Sequence, residues 1–152
     1  MMRKTFLVSI AILLAAACAS SSNNLKGDLT QPTVEVAQLS AQPAIAEHVT
    51  GGVPIYLGVA VTNNANIPIT LKRVNVTSLG SGGYNIPNVS RPFNKVIQPG
   101  ATEQVEFWVP AYADASVAGV NGAVALRSIV QFDSAQGSFE NSSVHQVQGV
   151  IR

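Results

Sequence analysis

The sequence predicts an all-β chain folded as an antiparallel β-sandwich of the immunoglobulin or fibronectin type III kind, with about seven strands. Three observations predict it. Apolar residues from Thr33 onward recur with period two rather than 3.6. The alternating runs are separated by Asn-, Gly- and Pro-containing turns and include no long amphipathic stretch. Of 152 residues, 47% are hydrophobic and 11% charged, so one domain with a packed core is affordable.

The elements follow in order. "TVEVAQLS" is a first strand with Val34, Val36 and Gln38 in register. "VPIYLGVAVT" sets Val53, Ile55, Leu57, Val59 and Val61 on one face, leaving Tyr56 among small residues on the other. "NNAN" (63–66) supplies a turn, because Asn tolerates left-handed backbone angles. "IPITLKRVNV" keeps Ile67, Ile69 and Leu71 in phase and then shifts to Val74 and Val76, which predicts a β-bulge near Lys72-Arg73. Pro68 confines this strand to an edge or marks its start. "LGSGGYNIPN" reads as a loop, its glycine cluster as a flexible hairpin tip.

After the "QPG" turn, "TEQVEFWVP" turns Val105, Phe107 and Val109 inward, with Glu103 in their register. Gln104, Glu106 and Trp108 share the other face. "AYADASV" (111–117) is the one place for a short helical turn. "AVALRSIVQFD" alternates again through Val124, Leu126, Val130 and Phe132. After "SAQG", the segment "SFENSSVHQVQGVI" closes the chain as a strand, bulged or kinked around Gly149. A small β-barrel is the alternative architecture. A membrane barrel would need at least eight longer strands and aromatic girdles, against nine aromatics in all.

Ahead of the sandwich, two cations in "MRKT" precede "FLVSIAILLAAA" (6–17), twelve residues without a charge. Spanning a bilayer takes about 20 apolar residues, so this run is too short; it has the plan of a secretion signal. Ala15-Ala16-Ala17-Cys18 resembles the lipobox of bacterial lipoproteins, with Leu14 four residues ahead of the cysteine rather than the usual three. The resemblance implies cleavage after residue 17, diacylglyceryl attachment to Cys18, and, with Ala19 rather than Asp next, transfer to the periplasmic face of the outer membrane. Residues 18–32 then form the lipidated end and a flexible tether, and 33–152 the sandwich.

"IYLGVAVTNNANIPITLKRVNV" and "IQPGATEQVEFWVP" resemble the water-stress-and-hypersensitive-response domain of late-embryogenesis-abundant proteins, with "ALRSIVQFDSAQGSFENSSVHQVQGVI" matching the spacing of its closing hairpin. Ala65 stands where that family's Asn-Pro-Asn turn carries proline. The resemblance implies a β-sandwich without an active site and a role in desiccation or stress tolerance.

Composition and motifs narrow the chemistry further. Without Arg3 and Lys4 the chain carries 7 basic against 8 acidic side chains, so no field gathers nucleic acid. One cysteine excludes an intrachain disulfide and a thiolate zinc site. His48 and His145 lack neighbouring ligands, so neither a metal nor another cofactor is expected. A Ser–His–Asp triad could draw on His145 and Asp133, but no Gly-x-Ser-x-Gly elbow accompanies them. Glu103 and Glu106 point to opposite faces and cannot flank one bond. The glycines of "LGSGGY" lack the lysine of a phosphate loop. Asn75, Asn88 and Asn141 stand in glycosylation sequons, which carry no meaning in a bacterial lipoprotein.

The residues left for a function are Trp108 and Tyr56, aromatics on the non-core faces of their strands and candidates for contact with an envelope protein partner. The competing placement puts Trp108 beneath the loop around Tyr112. The sequence thus predicts a non-enzymatic, membrane-anchored binding or stress-protective module, or a structural subunit of an envelope assembly.

Overall fold

The computed structural model describes residues 30–41, 52–80, 82–112 and 122–148. Within them, seven antiparallel strands form two sheets: β1 (Thr33–Gln38), β2 (Val53–Thr62), β3 (Ile69–Ser78), β4 (Val89–Ile97), β5 (Thr102–Ala111), β6 (Val124–Ser134) and β7 (Gly137–Val147). One sheet has the order β1-β2-β5, the other β4-β3-β6-β7. The fold is a β-sandwich, with separate sheets rather than a closed barrel. The fourth strand lies beside β3, not beside β5 as in the constant-type immunoglobulin layout.

Alternation builds the core. Ile55, Leu57, Val59 and Val61 of β2, with Val105, Phe107 and Val109 of β5 beside them in the same sheet, pack with Leu71, Val74 and Val76 of β3 and Val130 and Phe132 of β6 in one core. The phase change in β3 is a register shift between Leu71 and Arg73, where Lys72 has no partner, so Leu71 and Val74 both turn inward. Pro68 lies just ahead of β3, where its missing N–H costs no ladder bond in this central strand.

Two features differ from the sequence expectation, and two more fall wholly or partly outside the described residues. The strand Val89–Ile97 has no apolar alternation: Arg91, Phe93 and Lys95 lie in its inward phase. They survive there because β4 is an edge strand, and they reach across to β5. Phe93 meets Phe107 with ring centroids 6.0 Å apart, Lys95 pairs with Glu103 at 2.8 Å, and Arg91 stacks on Trp108. The second half of the "LGSGGY" segment is packed rather than a free tip, since Tyr84, like Ile86 after it, is fully buried and a Cβ at Gly82 would stand 3.1 Å from Val124; Ser81 lies outside the described residues. No helical turn begins at Ala111, which ends β5, while Tyr112 makes an isolated bridge to Asn85; residues 113–117 lie outside the described residues. The bend around Gly149 also lies outside them.

Asn63 is the polar counterpart of this core. It is fully buried, its Nδ2 donating to the carbonyls of Ile67 (2.8 Å) and Ile97 (3.0 Å). Its Oδ1 accepts from the Ala65 N–H at 3.0 Å, and its backbone bonds Ala101 and Gly100. One side chain therefore ties the β2–β3 connection to the β4–β5 turn.

Candidate functional site

The three-stranded sheet turns its even-phase β2 and β5 residues outward, and these define the candidate site. Antiparallel register sets Tyr56 directly opposite Trp108, and Pro54 opposite Pro110. Cross-strand partners stand about 4.5–5.5 Å apart at Cβ, so the two aromatic side chains rise from adjacent points of the sheet. Tyr56 is 53% and Trp108 50% exposed, and among the described residues no loop covers either. Leu39 and Tyr112, each 39% exposed, border the pair.

Local sequence explains the arrangement. Gly58 leaves the floor open, so the Leu39 side chain lies over it; a Cβ there would come within 3.2 Å of both Leu39 methyls. The Leu39 N–H donates to the Tyr56 carbonyl at 2.8 Å and the Tyr56 N–H donates to Ser40 Oγ at 3.1 Å, holding the end of β1 against Tyr56. Gly52 plays the same part at the other end, its Cβ position being 2.9 Å from Tyr112 Cζ.

Arg91 fixes Trp108. Its guanidinium lies 5.2 Å from the ring centroid, and Nη2 donates to the Trp108 carbonyl at 3.1 Å. That carbonyl is on the outer edge of β5, so the same contact caps a backbone acceptor that would otherwise invite strand addition. Beyond the aromatic pair the face turns polar: Glu106 accepts from Gln104 Nε2 at 2.9 Å, and Thr62 and Thr102 share a hydrogen bond of 2.8 Å. The outer face thus divides into an aromatic half and a polar half.

The other sequence candidates are scattered. His145 and Asp133 stand at opposite ends of the β6–β7 hairpin: His145 pairs with Leu126, and Asp133 lies seven residues on, about 23 Å along the strand. Asp133 instead accepts from Ser138 Oγ at 2.6 Å. His145 faces the seam between β7 and β1, with Nε2 2.7 Å from Ser143 Oγ and 3.2 Å from the buried Ser128 Oγ. Burial pushes its pKa below the ordinary histidine value, and the Glu35 carboxylate opposes that shift. Among the described residues its ring bonds serine hydroxyls, and no carboxylate bonds it.

Glu103 and Glu106 do occupy opposite faces, the first bound to Lys95. Asn75 lies on β3, Asn88 is exposed ahead of β4, and Asn141 donates to the Pro32 carbonyl at 3.1 Å, joining β7 to the start of β1. Near the bulge, an open groove of about 980 Å³ carries Lys72 and Arg73 beside Asp133 and Glu140. Lys72 reaches Asp133 at 4.0 Å, so charges of both signs offset one another there. No group of three or more His, Cys, Asp or Glu side chains converges among the described residues. Cys18 and His48 lie outside them.

Sequence alternation put Tyr56 and Trp108 on this outer face but did not place Leu39, Tyr112 and Arg91 beside them. Period two could have placed Tyr112 in the phase of Trp108; the Arg91 contact needs the fold.

Two of the comparisons with known proteins find nothing: no family model and no curated protein matches the chain. Among solved structures, a structural genomics target, "X-ray structure of Northeast Structural Genomics Consortium target SoR45", is similar with a TM-score of 0.53. Identity is 10% over 77% of this chain and 86% of that one, which shows a shared β-sandwich fold.

Proposed function

We propose that this chain is a lipid-anchored envelope protein whose β-sandwich is a non-enzymatic binding module, and that it binds through the outer face of the three-stranded sheet. The carrying observation is the cross-strand pair Tyr56–Trp108, half-exposed and held by Arg91 on a rigid sheet. Large aromatic rings cost little conformational entropy when contacted, and Trp and Tyr dominate the energetic centres of interfaces. The lipobox-like signal supports attachment through Cys18 at the periplasmic face of the outer membrane; two or more acyl chains hold a protein stably on a bilayer.

The water-stress likeness adds a protective version of the same role, in which the face covers envelope components during drying. A structural subunit of an envelope assembly would use the same pair to dock one fixed neighbour.

Mass spectrometry of the native protein tests the anchor: an acylated Cys18 peptide is expected, and an unmodified thiol would refute it. Chemical cross-linking in cells, followed by pull-down of wild type and Trp108→Ala, tests the face. Trp108-dependent adducts are expected, and identical adducts from both proteins would refute it. A single stoichiometric protein adduct would select the assembly role. Loss of desiccation survival on deletion, with no such adduct, would select protection.

A further inference from the structure

We propose that the outer face of the three-stranded sheet binds a neutral polysaccharide strand of β-linked hexopyranose units. The inference rests on the reading of this face as the contact surface and names its ligand class.

Size argues first. The aromatic half runs from Trp108 to Tyr112, four residues or about 13 Å along the strand, and spans three strands spaced about 4.8 Å apart. Allowing for side-chain width, its described residues offer roughly 200–300 Å², against the ~800 Å² per partner of a stable protein interface. A ligand one sugar ring wide fits that strip.

Chemistry argues second. A β-linked pyranose is amphiphilic in the same sense as the face. Its axial C–H groups form an apolar surface that packs on an aromatic ring, and its equatorial hydroxyls radiate in the ring plane. Trp108 and Tyr56 supply the rings. One two-residue step along β5, about 6.6 Å from Trp108, stands Glu106, with its carboxylate oriented by Gln104. A planar carboxylate and a planar amide side by side accept from and donate to neighbouring hydroxyls, the few well-placed polar groups that fix a ligand's orientation. Gly58, opposite Glu106, has no side chain of its own, and the Leu39 methyls and the Gln104 amide close over its place, so an apolar contact joins the polar groups to the rings.

Charge and backbone argue third. The charges of the face are Glu35 and Glu106, with Arg91 at its margin, so neither sign clusters as a phosphorylated or sulfated partner would require. An extended peptide would instead seek unpaired backbone at a strand edge, and at Trp108 the β5 edge is already satisfied by Arg91.

Trp108 is the only tryptophan, so its emission reports on this face alone. The test uses the full chain in a zwitterionic detergent, titrated with hexamers of β-1,4-linked glucose and of β-1,4-linked N-acetylglucosamine to millimolar concentration. At least one hexamer is expected to shift the emission to the blue and protect it from acrylamide. Tyr56→Ala and Glu106→Gln should each weaken that protection about tenfold, and Val144→Ala, on the other sheet, should leave it unchanged. No protection by either hexamer overturns the proposal, as does protection that survives both face variants. If no glycan protects while a protein is cross-linked in a Trp108-dependent way, the glycan assignment falls and the binding face stands. If no glycan protects and Trp108→Ala leaves the cross-linked adducts unchanged, both fall.

Discussion

Replacing Asn63 with alanine should unfold the protein far more readily than its place in an Asn-rich turn suggests. The substitution deletes three side-chain hydrogen bonds, to Ile67 O, Ile97 O and Ala65 N, and opens no path for water to the buried Ile97 carbonyl. At about 1 kcal/mol net per bond, and more where a group is left buried and unpaired, the cost is roughly 2–4 kcal/mol. For a domain of this size that corresponds to a drop in Tm of roughly 10 °C. Asn63→Asp sharpens the argument, because it keeps shape and the acceptor but sets a carboxylate where Nδ2 now faces two carbonyl oxygens. At neutral pH it should be at least as damaging as alanine, then recover as acid protonates it, whereas the alanine deficit stays flat with pH. Urea titration followed by far-UV circular dichroism on the full chain reads both. A loss under 1 kcal/mol for Asn63→Ala, or wild-type stability for Asn63→Asp at pH 7, would refute the reasoning.

Three further outcomes follow from other packed groups. Tyr84 donates its phenol hydrogen to Gln38, and burial raises its pKa to about 12. A raised phenol pKa gives stability that is complete below pH 10 and lost as pH climbs from there through 12, about 3 kcal/mol in all; Tyr84→Phe should remove this alkaline slope while lowering stability at pH 7, and an unchanged slope in alkaline urea titrations would contradict it. His145, whose pKa is depressed, stabilises the fold above pH 6.5 and loses that contribution as pH falls; His145→Gln should flatten the decline measured between pH 7 and 4, and a steeper decline would count against it. Gly52→Ala sets a methyl 2.7 Å from Pro110 Cβ and 2.9 Å from Tyr112 Cζ, so a loss of about 1–3 kcal/mol is expected, and a neutral melting curve would show that the end of the aromatic face is looser than described.

The parts of the fold legible beforehand are those where one strand's own alternation decides its burial. Val53 to Val61, Val105 to Val109 and Val124 to Phe132 read correctly for that reason, and so did the Lys72-Arg73 bulge, which leaves its mark as a phase slip. Illegible were the residues whose role depends on a distant partner. Arg91 and Lys95 hide an inward face because their partners, Trp108 and Glu103, come from the other sheet. Tyr84 and Ile86 follow glycines, and only tertiary packing against Gln38 and its neighbours reveals them as core. Asn63 read as one of several turn residues, though its amide alone among them is sealed inside. At the candidate site the outward phase of Tyr56 and Trp108 was legible from alternation. Their pairing was not, because it requires the β2–β5 register, and neither was the approach of Leu39 over Gly58.

Site-specific photo-cross-linking in living cells tests the central claim most directly. A photoreactive residue would be placed in turn at positions 56, 108 and 112 on the aromatic face, and at 96 and 144 on the other sheet, where Val96 is 52% and Val144 58% exposed. Adducts confined to positions 56, 108 and 112 are the expected result. Adducts at 96 or 144, with none on the aromatic face, would move the contact surface to the opposite sheet and contradict the account.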